Sequence, residues 1–225
     1  MRRLRRSVFP IVVAAALVLC AGADAAMVGV YRNTLDTLTQ RTEVLKVAGR
    51  SCTRAGTAGA LQITVGKRTE ECAYRTPVIG RNLEVAAAGR LLPDTPKAVA
   101  RRAFLGRELR AGGGTRYELR VFPGQKKAQL LKFVGQGEVE YLAIEKRVAA
   151  VNGPGEANVL RLRAEGDGPR TKLIAHLGSE VVGEALDEGT RIEGEFSAVS
   201  AGAPGNGRGV HADFGGIAVR VPVRF

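Results

Sequence analysis

The sequence has no tryptophan, only two histidines and only three cysteines among its 225 residues. A zinc site is not predicted, because His176 and His211 are far apart and too few cysteines accompany them. No nucleophile-elbow pattern is present, so a serine hydrolase triad is not predicted either.

Aromatic residues make up only 5% of the chain. Because proteins that bind single-stranded nucleic acid stack bases on such side chains, we expect no nucleic-acid partner.

Glycine, by contrast, is abundant, with 29 residues, and 9 prolines accompany it. This composition favours many tight turns over long helices. Hydrophobic residues make up 45% of the chain, enough for a single core. The formal net charge is +12, and such a basic surface favours anionic neighbours such as phospholipid headgroups, acidic wall polymers or acidic polysaccharide.

The N-terminus has the pattern of a secretory signal. Residues 1–6 include four arginines, residues 8–23 form an apolar run, and Ala23-Asp24-Ala25 offers a small-x-small cleavage site. An uncleaved membrane anchor is the alternative. We predict a signal peptide or anchor over residues 1–25, a stalk or short helix over 26–50, and one β-domain over 51–225. The body of the protein would then be extracytoplasmic, either secreted or anchored to the membrane.

Cys52 and Cys72 are the only two cysteines outside the N-terminal apolar run. In an exported protein such a pair is predicted to form a disulfide. Two free thiols are the alternative.

The clearest strand lies in residues 157–164. Leu160, Leu162 and Ala164 alternate there with Arg161 and Arg163, a period of two that indicates one buried and one wet face. Similar short segments, separated by turn residues, recur every 8–12 residues from position 60 to the C-terminus. An all-β, two-sheet antiparallel jelly-roll sandwich is therefore predicted, with an N-terminal hydrophobic helix in front of it.

Four segments resemble the concanavalin A-like, laminin G-like jelly roll, and especially the domains related to 3-keto-disaccharide hydrolases in exported bacterial proteins. They are FLGRELR at 104–110 followed by YELRV at 117–121, NVLRL at 158–162, the hairpin at 176–187, and the closing strand at 213–221. The chain departs from this pattern at Leu177, where asparagine is common, and at Gly215 and Gly216, where acidic residues are common. These departures count against a polar or calcium-assisted site at those positions.

The resemblance implies a module that binds surface glycan or another envelope component, either an anionic polymer or an envelope protein. A glycoside hydrolase and a structural module of the envelope are the alternatives. Cleavage would use Glu138 and Glu140, which lie two residues apart on one strand face. However, the glucanase pattern Glu-x-Asp-x-x-Glu is not met, since position 143 is alanine.

No cofactor and no catalytic residue are predicted. The binding candidates are Arg161, Arg163, Glu138 and Glu140. One calcium site is left open as an alternative, because carboxylates and carbonyls in loops suit that ion. Its ligands would be Asp187, Asp213 and carbonyls near Asn206.

Overall fold

The computed structural model describes residues 27–33, 45–48, 51–57, 59–76, 82–110, 114–135, 138–167, 169–189 and 196–222. The predicted signal peptide or anchor at 1–25 lies outside these residues. No helix in the described part of the chain is long and apolar enough to cross a membrane.

The described residues form an all-β sandwich of two antiparallel sheets. Its fifteen strands are numbered in chain order. The first sheet contains, from one edge to the other, β13 (Glu180–Asp187), β12 (Arg170–Leu177), β11 (Asn158–Asp167), β6 (Leu83–Leu91), β15 (His211–Pro222), β4 (Ala60–Val65) and β3 (Cys52–Thr57). An eighth strand, β1 (Met27–Asn33), pairs with the C-terminal half of β15.

The second sheet contains seven strands within the same described ranges. They are, in order across the sheet, β10 (Glu138–Lys146), β9 (Lys127–Val134), β8 (Arg116–Phe122), β7 (Phe104–Arg110), β14 (Phe196–Gly202), β5 (Glu71–Thr76) and β2 (Leu45–Ala48). One short helix, α1 (Lys97–Ala100), precedes β7, and a 3-10 helix (Pro123–Gln125) joins β8 to β9. The predicted two-sheet antiparallel architecture is confirmed.

Two strands lie within the range that the sequence assigns to a stalk or short helix. β1 pairs with β15 in the first sheet, and β2 pairs with β5 in the second. The sandwich therefore includes residues on the N-terminal side of position 51. Residues 34–44 of the predicted stalk lie outside the described ranges.

The core fills the space between the inner faces of the two sheets. Leu160 and Leu162 of β11 are completely buried, as their alternation with arginines predicts. Leu119 and Val121 approach them from β8 of the second sheet, and both are also fully buried. Each such aliphatic side chain stabilises the fold by about 1.5–3 kcal/mol relative to its exposed state.

The double glycine near the C-terminus has a structural use. β15 pairs with β4 up to Phe214 and with β1 from Ile217 onwards, so its partner changes at Gly215 and Gly216. The register with β6 shifts at the same point, and Gly216 has a φ of +58°. Glycine adopts that conformation at little cost, so the pair forms a β-bulge in the longest strand.

The disulfide between Cys52 and Cys72 is present, as predicted. Cys52 lies on β3 of the first sheet and Cys72 on β5 of the second, so the bond joins the two layers. Their Cα atoms are 5.8 Å apart, and the two cysteines are separated by 20 positions in the sequence. The bond therefore closes a short loop and ties the β3 edge of the first sheet to the second sheet.

Replacing Cys52 and Cys72 together with alanine is expected to lower the free energy of unfolding by about 3 kcal/mol, because the unfolded chain regains the entropy of an open loop. Urea unfolding followed by circular dichroism measures this change. Adding a reductant should destabilise the parent protein and leave the double variant unchanged. Equal stability of the two proteins under oxidising conditions would contradict the expectation.

Candidate functional site

A pocket opens where three connecting segments meet at the C-terminal end of β6. They are the turn and helix α1 that follow β6, the 3-10 helix after β8, and the loop that precedes β11. The volume of this end pocket is about 550 Å³, within the range of small-molecule sites. Its walls include the rings of Pro93, Pro123 and Pro154. The end pocket is therefore large enough for a ligand and partly apolar.

Hydrogen bonds to backbone groups fix two walls of the end pocket to the first sheet. The hydroxyl of Thr95 donates to the carbonyl of His211 at 2.9 Å and accepts from the backbone N–H of His211 at 3.0 Å. On the opposite wall, the N–H of Gly155 donates to the carbonyl of Leu91 at 3.0 Å. Both contacts anchor a loop to a strand of the first sheet.

The 3-10 helix packs directly on α1. A Cβ atom on Gly124 would lie 2.5 Å from the carbonyl oxygen of Ala100, so only glycine allows this approach without displacement. The side-chain amide of Gln125 donates to the carbonyl of Arg101 at 3.0 Å and closes the contact.

Two asparagines shape the loop before β11. The side-chain oxygen of Asn158 accepts from the backbone N–H of Asn152 at 2.8 Å, and its amide donates to the carbonyl of Asn152 at 3.3 Å. Asn158 is buried, so these bonds stay shielded from water. The loop that carries Gly153 and Pro154 is thus held in place before any ligand arrives.

Three cations line the end pocket: Lys97, Arg101 and Lys126. Lys126 has a φ of +52°, and its Nζ donates to the carbonyl of Val151 at 2.5 Å. None of the described residues that line the end pocket is acidic.

Two carboxylates border the end pocket without lining it. Asp94 lies 3.4 Å from Nδ1 of His211. The Oε2 atom of Glu156 accepts from the backbone N–H of Gly153 at 3.3 Å. These two carboxylates keep their charge, but the three cations of the lining outnumber them, so the end pocket is net basic.

A second polar cluster occupies the outer face of the second sheet, the face turned away from the first sheet. It contains Glu71 on β5, Glu108 on β7 and Glu118 on β8. Glu108 and Glu118 are direct partners in the antiparallel register. The carboxylate oxygens of all three residues lie within 4.8 Å of one another, and we call this group the carboxylate cluster.

Arginines on β8 neutralise the carboxylate cluster. Arg116 makes a two-pronged contact with Glu71, with N–O distances of 3.0 and 3.2 Å. Arg120 contacts Glu71 at 2.5 Å and Glu118 at 2.9 Å. Such charge-assisted contacts are about twice as strong as neutral hydrogen bonds.

The third carboxylate has its own arginine. Arg110 donates to Glu108 at 2.9 Å, and its guanidinium lies 5.3 Å from the ring centre of Phe196. Arg116 likewise lies 3.9 Å from the ring centre of Phe133. Because a guanidinium is attracted to an aromatic face, the rings hold the arginines over the carboxylates.

The pKa values of two carboxyl groups in the cluster are shifted in opposite directions. Burial, with help from the charges of Glu118 and Glu108, raises the pKa of Glu71 to about 8. Burial also opposes ionisation of Glu118, but the charges of Arg120 and Arg116 outweigh it and lower the pKa of Glu118. The cluster therefore holds one carboxyl group that takes up a proton near neutral pH.

The carboxylate cluster is closed to ligands. Glu108 and Glu118 are 0% exposed, and the side chain of Glu71 is 13% exposed. Three carboxylates are matched by three guanidinium groups, so a metal ion would have to displace an arginine to bind there. We conclude that the contacts in this cluster are structural ion pairs.

The arginines predicted from sequence lie elsewhere. Arg161 and Arg163 are on β11 of the first sheet, on the face away from the core. Arg163 is 8% exposed and forms an ion pair with Glu165. Neither residue lines the end pocket.

The predicted glutamates lie on the other sheet. Glu138 and Glu140 are exposed on β10, at one end of the strand order of the second sheet. Glu140 stands opposite Lys132 in the register, with its carboxylate 3.9 Å from the ammonium group. The structure therefore does not bring the four predicted binding residues together, since two lie on each sheet.

The calcium ligands considered from sequence are also separated. Asp187 contacts Lys132 at 2.7 Å, and Asp213 contacts Arg90 at 2.7 Å, so each already faces a cation. Their strands, β13 and β15, are four steps apart in the first sheet, about 19 Å. The side-chain oxygen of Asn206 accepts from a backbone N–H within its own loop. These residues do not form one ion site.

Sequence reasoning missed the residues of the end pocket. Each wall lies in a segment that the sequence marks as a turn: 91–96, 123–124 and 152–155. Cations follow two of these turns, Lys97 and Arg101 after the first and Lys126 after the second, and this signal acquires meaning only when the turns are known to meet.

Comparisons with known proteins agree on the fold. No protein-family model matches the sequence, and no curated protein does. Among solved structures, the carbohydrate-binding module CBM66 from Bacillus subtilis superposes with a TM-score of 0.59 at 15% identity, covering 79% of this chain and 94% of the module. A Bacillus subtilis protein of unknown function with a galectin-like fold superposes with a TM-score of 0.64 at 12% identity. The match covers 88% of this chain and 97% of that protein.

The κ-carrageenase of Pseudoalteromonas carrageenovora, solved with an oligosaccharide of κ-carrageenan, is a third similar structure. Its TM-score is 0.61 at 8% identity, and the match covers 93% of this chain and 100% of the enzyme. At these identities the similarity shows the fold alone, a galectin- and concanavalin A-like β-sandwich. Carbohydrate-binding modules and glycoside hydrolases share this fold.

Substituting Glu71 with glutamine tests the structural role of the carboxylate cluster. The folded-state pKa of about 8 exceeds the unfolded value of 4.5, so the folded protein holds the proton more tightly. The free energy of unfolding of the parent protein should therefore fall as pH rises from 4.5 to 8, by roughly a few kcal/mol.

In the Glu71→Gln variant the free energy of unfolding should not show this fall with pH, because the amide does not titrate. Denaturant unfolding at several pH values measures it, with Glu70→Gln as the control at an exposed neighbouring position. Parallel stability curves for all three proteins would contradict the shifted pKa.

Proposed function

We propose that this protein is a non-catalytic carbohydrate-binding module that holds an extracytoplasmic glycan in the end pocket. The observation that carries the proposal is a pocket of about 550 Å³ built before ligand arrives, on a fold shared with carbohydrate-binding modules. The partner is a glycan of the cell envelope.

The walls of the end pocket suit a sugar. Sugar rings present apolar C–H faces and a rim of hydroxyl groups, and small-molecule sites pair apolar walls with a few polar groups. Here Pro93, Pro123 and Pro154 provide rigid apolar surface without tryptophan. Lys97 and Arg101 provide donors for hydroxyl or acidic oxygens.

The carboxylates support binding over cleavage. Glycoside hydrolysis needs two carboxyl groups in contact with the scissile bond. The described carboxylates that lie close enough together include Glu108 and Glu118, which are fully buried under arginines. Glu138 and Glu140, the pair considered from sequence, lie on an edge strand away from the end pocket.

The disulfide supports an extracytoplasmic setting. Structural disulfides persist in oxidising compartments and are rare in the cytosol. The bond between Cys52 and Cys72 joins the two sheets and fits an exported protein. An exported basic module that contacts the glycans of the envelope is consistent with the net charge of +12.

Filling the end pocket tests the proposal. Gly153 lines the pocket, has no left-handed φ, and a Cβ atom there meets nothing within 4 Å. Gly153→Leu should therefore fold normally, occupy the pocket and weaken glycan binding about tenfold or more, since the excluded ring loses its contacts. Glycan arrays identify the bound saccharide, and isothermal titration calorimetry measures its affinity.

Gly29→Leu is the matched control, because Gly29 is exposed on β1 and a Cβ atom there also meets nothing within 4 Å. It should bind as the parent does. Absence of saturable binding to any saccharide, or equal binding by Gly153→Leu and the parent, would overturn the proposal. Release of new reducing ends from the bound glycan would show cleavage and overturn the non-catalytic assignment.

A further inference from the structure

We infer that the end pocket selects an acidic saccharide, one whose carboxylate or sulfate group is held by Lys97, Arg101 and Lys126. This inference rests on the proposed function, because it names the class of glycan for the same pocket. It comes from the distribution of charge around the pocket and from the way each cation is held.

Lys97 begins α1, and Arg101 caps its C-terminal end in a helical conformation. They are four residues apart on one helical turn, and the N–H of Arg101 bonds to the carbonyl of Lys97 at 3.2 Å. Residues at this spacing are neighbours on a helix surface, and two like charges there repel each other. An anion that contacts both side chains removes this repulsion.

Neither cation has an acidic partner within the described part of the chain. Both side chains are exposed, and among the described residues neither forms an ion pair. Two carboxylates border the pocket, Asp94 beside His211 and Glu156 bonded to a backbone N–H of its own loop, and both keep their charge. Among the described lining residues there are three basic groups and no acidic one, so the net charge of the pocket is complementary to an anion.

Lys126 adds a third, positioned cation from the opposite side. Its Nζ donates one hydrogen bond to the carbonyl of Val151. An ammonium group has three N–H donors, so two remain. The carbonyl fixes the ammonium position and leaves its full charge, because a neutral acceptor does not cancel it.

The proline walls distinguish a sugar acid from a small inorganic anion. Pro93, Pro123 and Pro154 supply apolar area that phosphate or sulfate alone would leave uncovered. A uronic acid or sulfated sugar has both required parts, a ring for the apolar walls and an acidic group for the cations.

The basic groups of the carboxylate cluster offer no comparable site. Arg110, Arg116 and Arg120 each contact a glutamate at 3.0 Å or less. Their guanidinium groups are thus engaged within the sheet face.

The test compares an acidic oligosaccharide with its neutral counterpart. The probes are an oligogalacturonate and its methyl ester, a sulfated galactan oligosaccharide and its desulfated form, and the best-binding saccharide from the array. Within a pair the rings and linkages are the same, and the members differ only at the acidic group, which the neutral form carries as a methyl ester or lacks. The parent protein should bind the acidic member of at least one pair about tenfold more tightly, since charge-assisted hydrogen bonds are lost with the neutral member.

Variants assign that preference to the end pocket. Lys97→Ala combined with Arg101→Ala should remove the preference for the acidic member. Lys67→Ala, which deletes an exposed cation on the turn after β4, should keep it. Affinity for the acidic member should also fall with added salt, and the salt dependence should be weaker in the double variant.

The outcomes separate the two proposals. If neutral members bind as well as acidic ones and Gly153→Leu abolishes both, the pocket binds glycan and the preference for acid is wrong. If acidic members bind but the double variant and Lys67→Ala weaken binding equally, general positive charge is responsible and the inference is wrong. If no saccharide binds the parent protein, the proposed function itself fails.

Discussion

The packing of two sheet faces against each other is the constraint on which the rest of the molecule depends. Side chains alternate along every strand, so a strand that gives Leu160 and Leu162 to the core must place Arg161 and Arg163 on the opposite face. The core thus fixes which polar residues face outward. The packing of the core also fixes where the strands end. The loops of the end pocket meet because they follow β6 and β8 and precede β11, whose positions in the two sheets are set by that packing.

The outer face of the second sheet shows how far this constraint reaches. Glu108 and Glu118 face each other because β7 and β8 pair in the register that also sets the core residues Leu105 and Leu109 opposite Val121 and Tyr117. Two adjacent buried carboxylates repel, and Arg116 and Arg120 offset that repulsion from alternate positions of β8. Buried ion pairs add little net stability but are costly to break. The cluster therefore makes any other register of these strands unfavourable.

Much of the fold could be predicted from sequence, because it depends on local period and turn chemistry. The strand predicted at 157–164, which the structure extends to Asp167, the hairpin at Gly178 and the disulfide all agree with the structure. The predicted binding residues were chosen by a different argument, spacing along one strand. That argument cannot show whether a partner from another strand cancels a charge, as Lys132 faces Glu140.

The end pocket and the carboxylate cluster are made of the same chemical groups, and their partners give them different roles. In the cluster, strand pairing places a glutamate within reach of each arginine, so each guanidinium group contacts a side chain of the protein itself. In the end pocket, Lys97 and Arg101 come from a short helix between strands, where no register supplies an opposite charge. A cation held by loop geometry and left without a carboxylate keeps its field available to a ligand. In this fold the exposed cations of the end pocket are thus better placed to bind a ligand than the paired arginines of the carboxylate cluster.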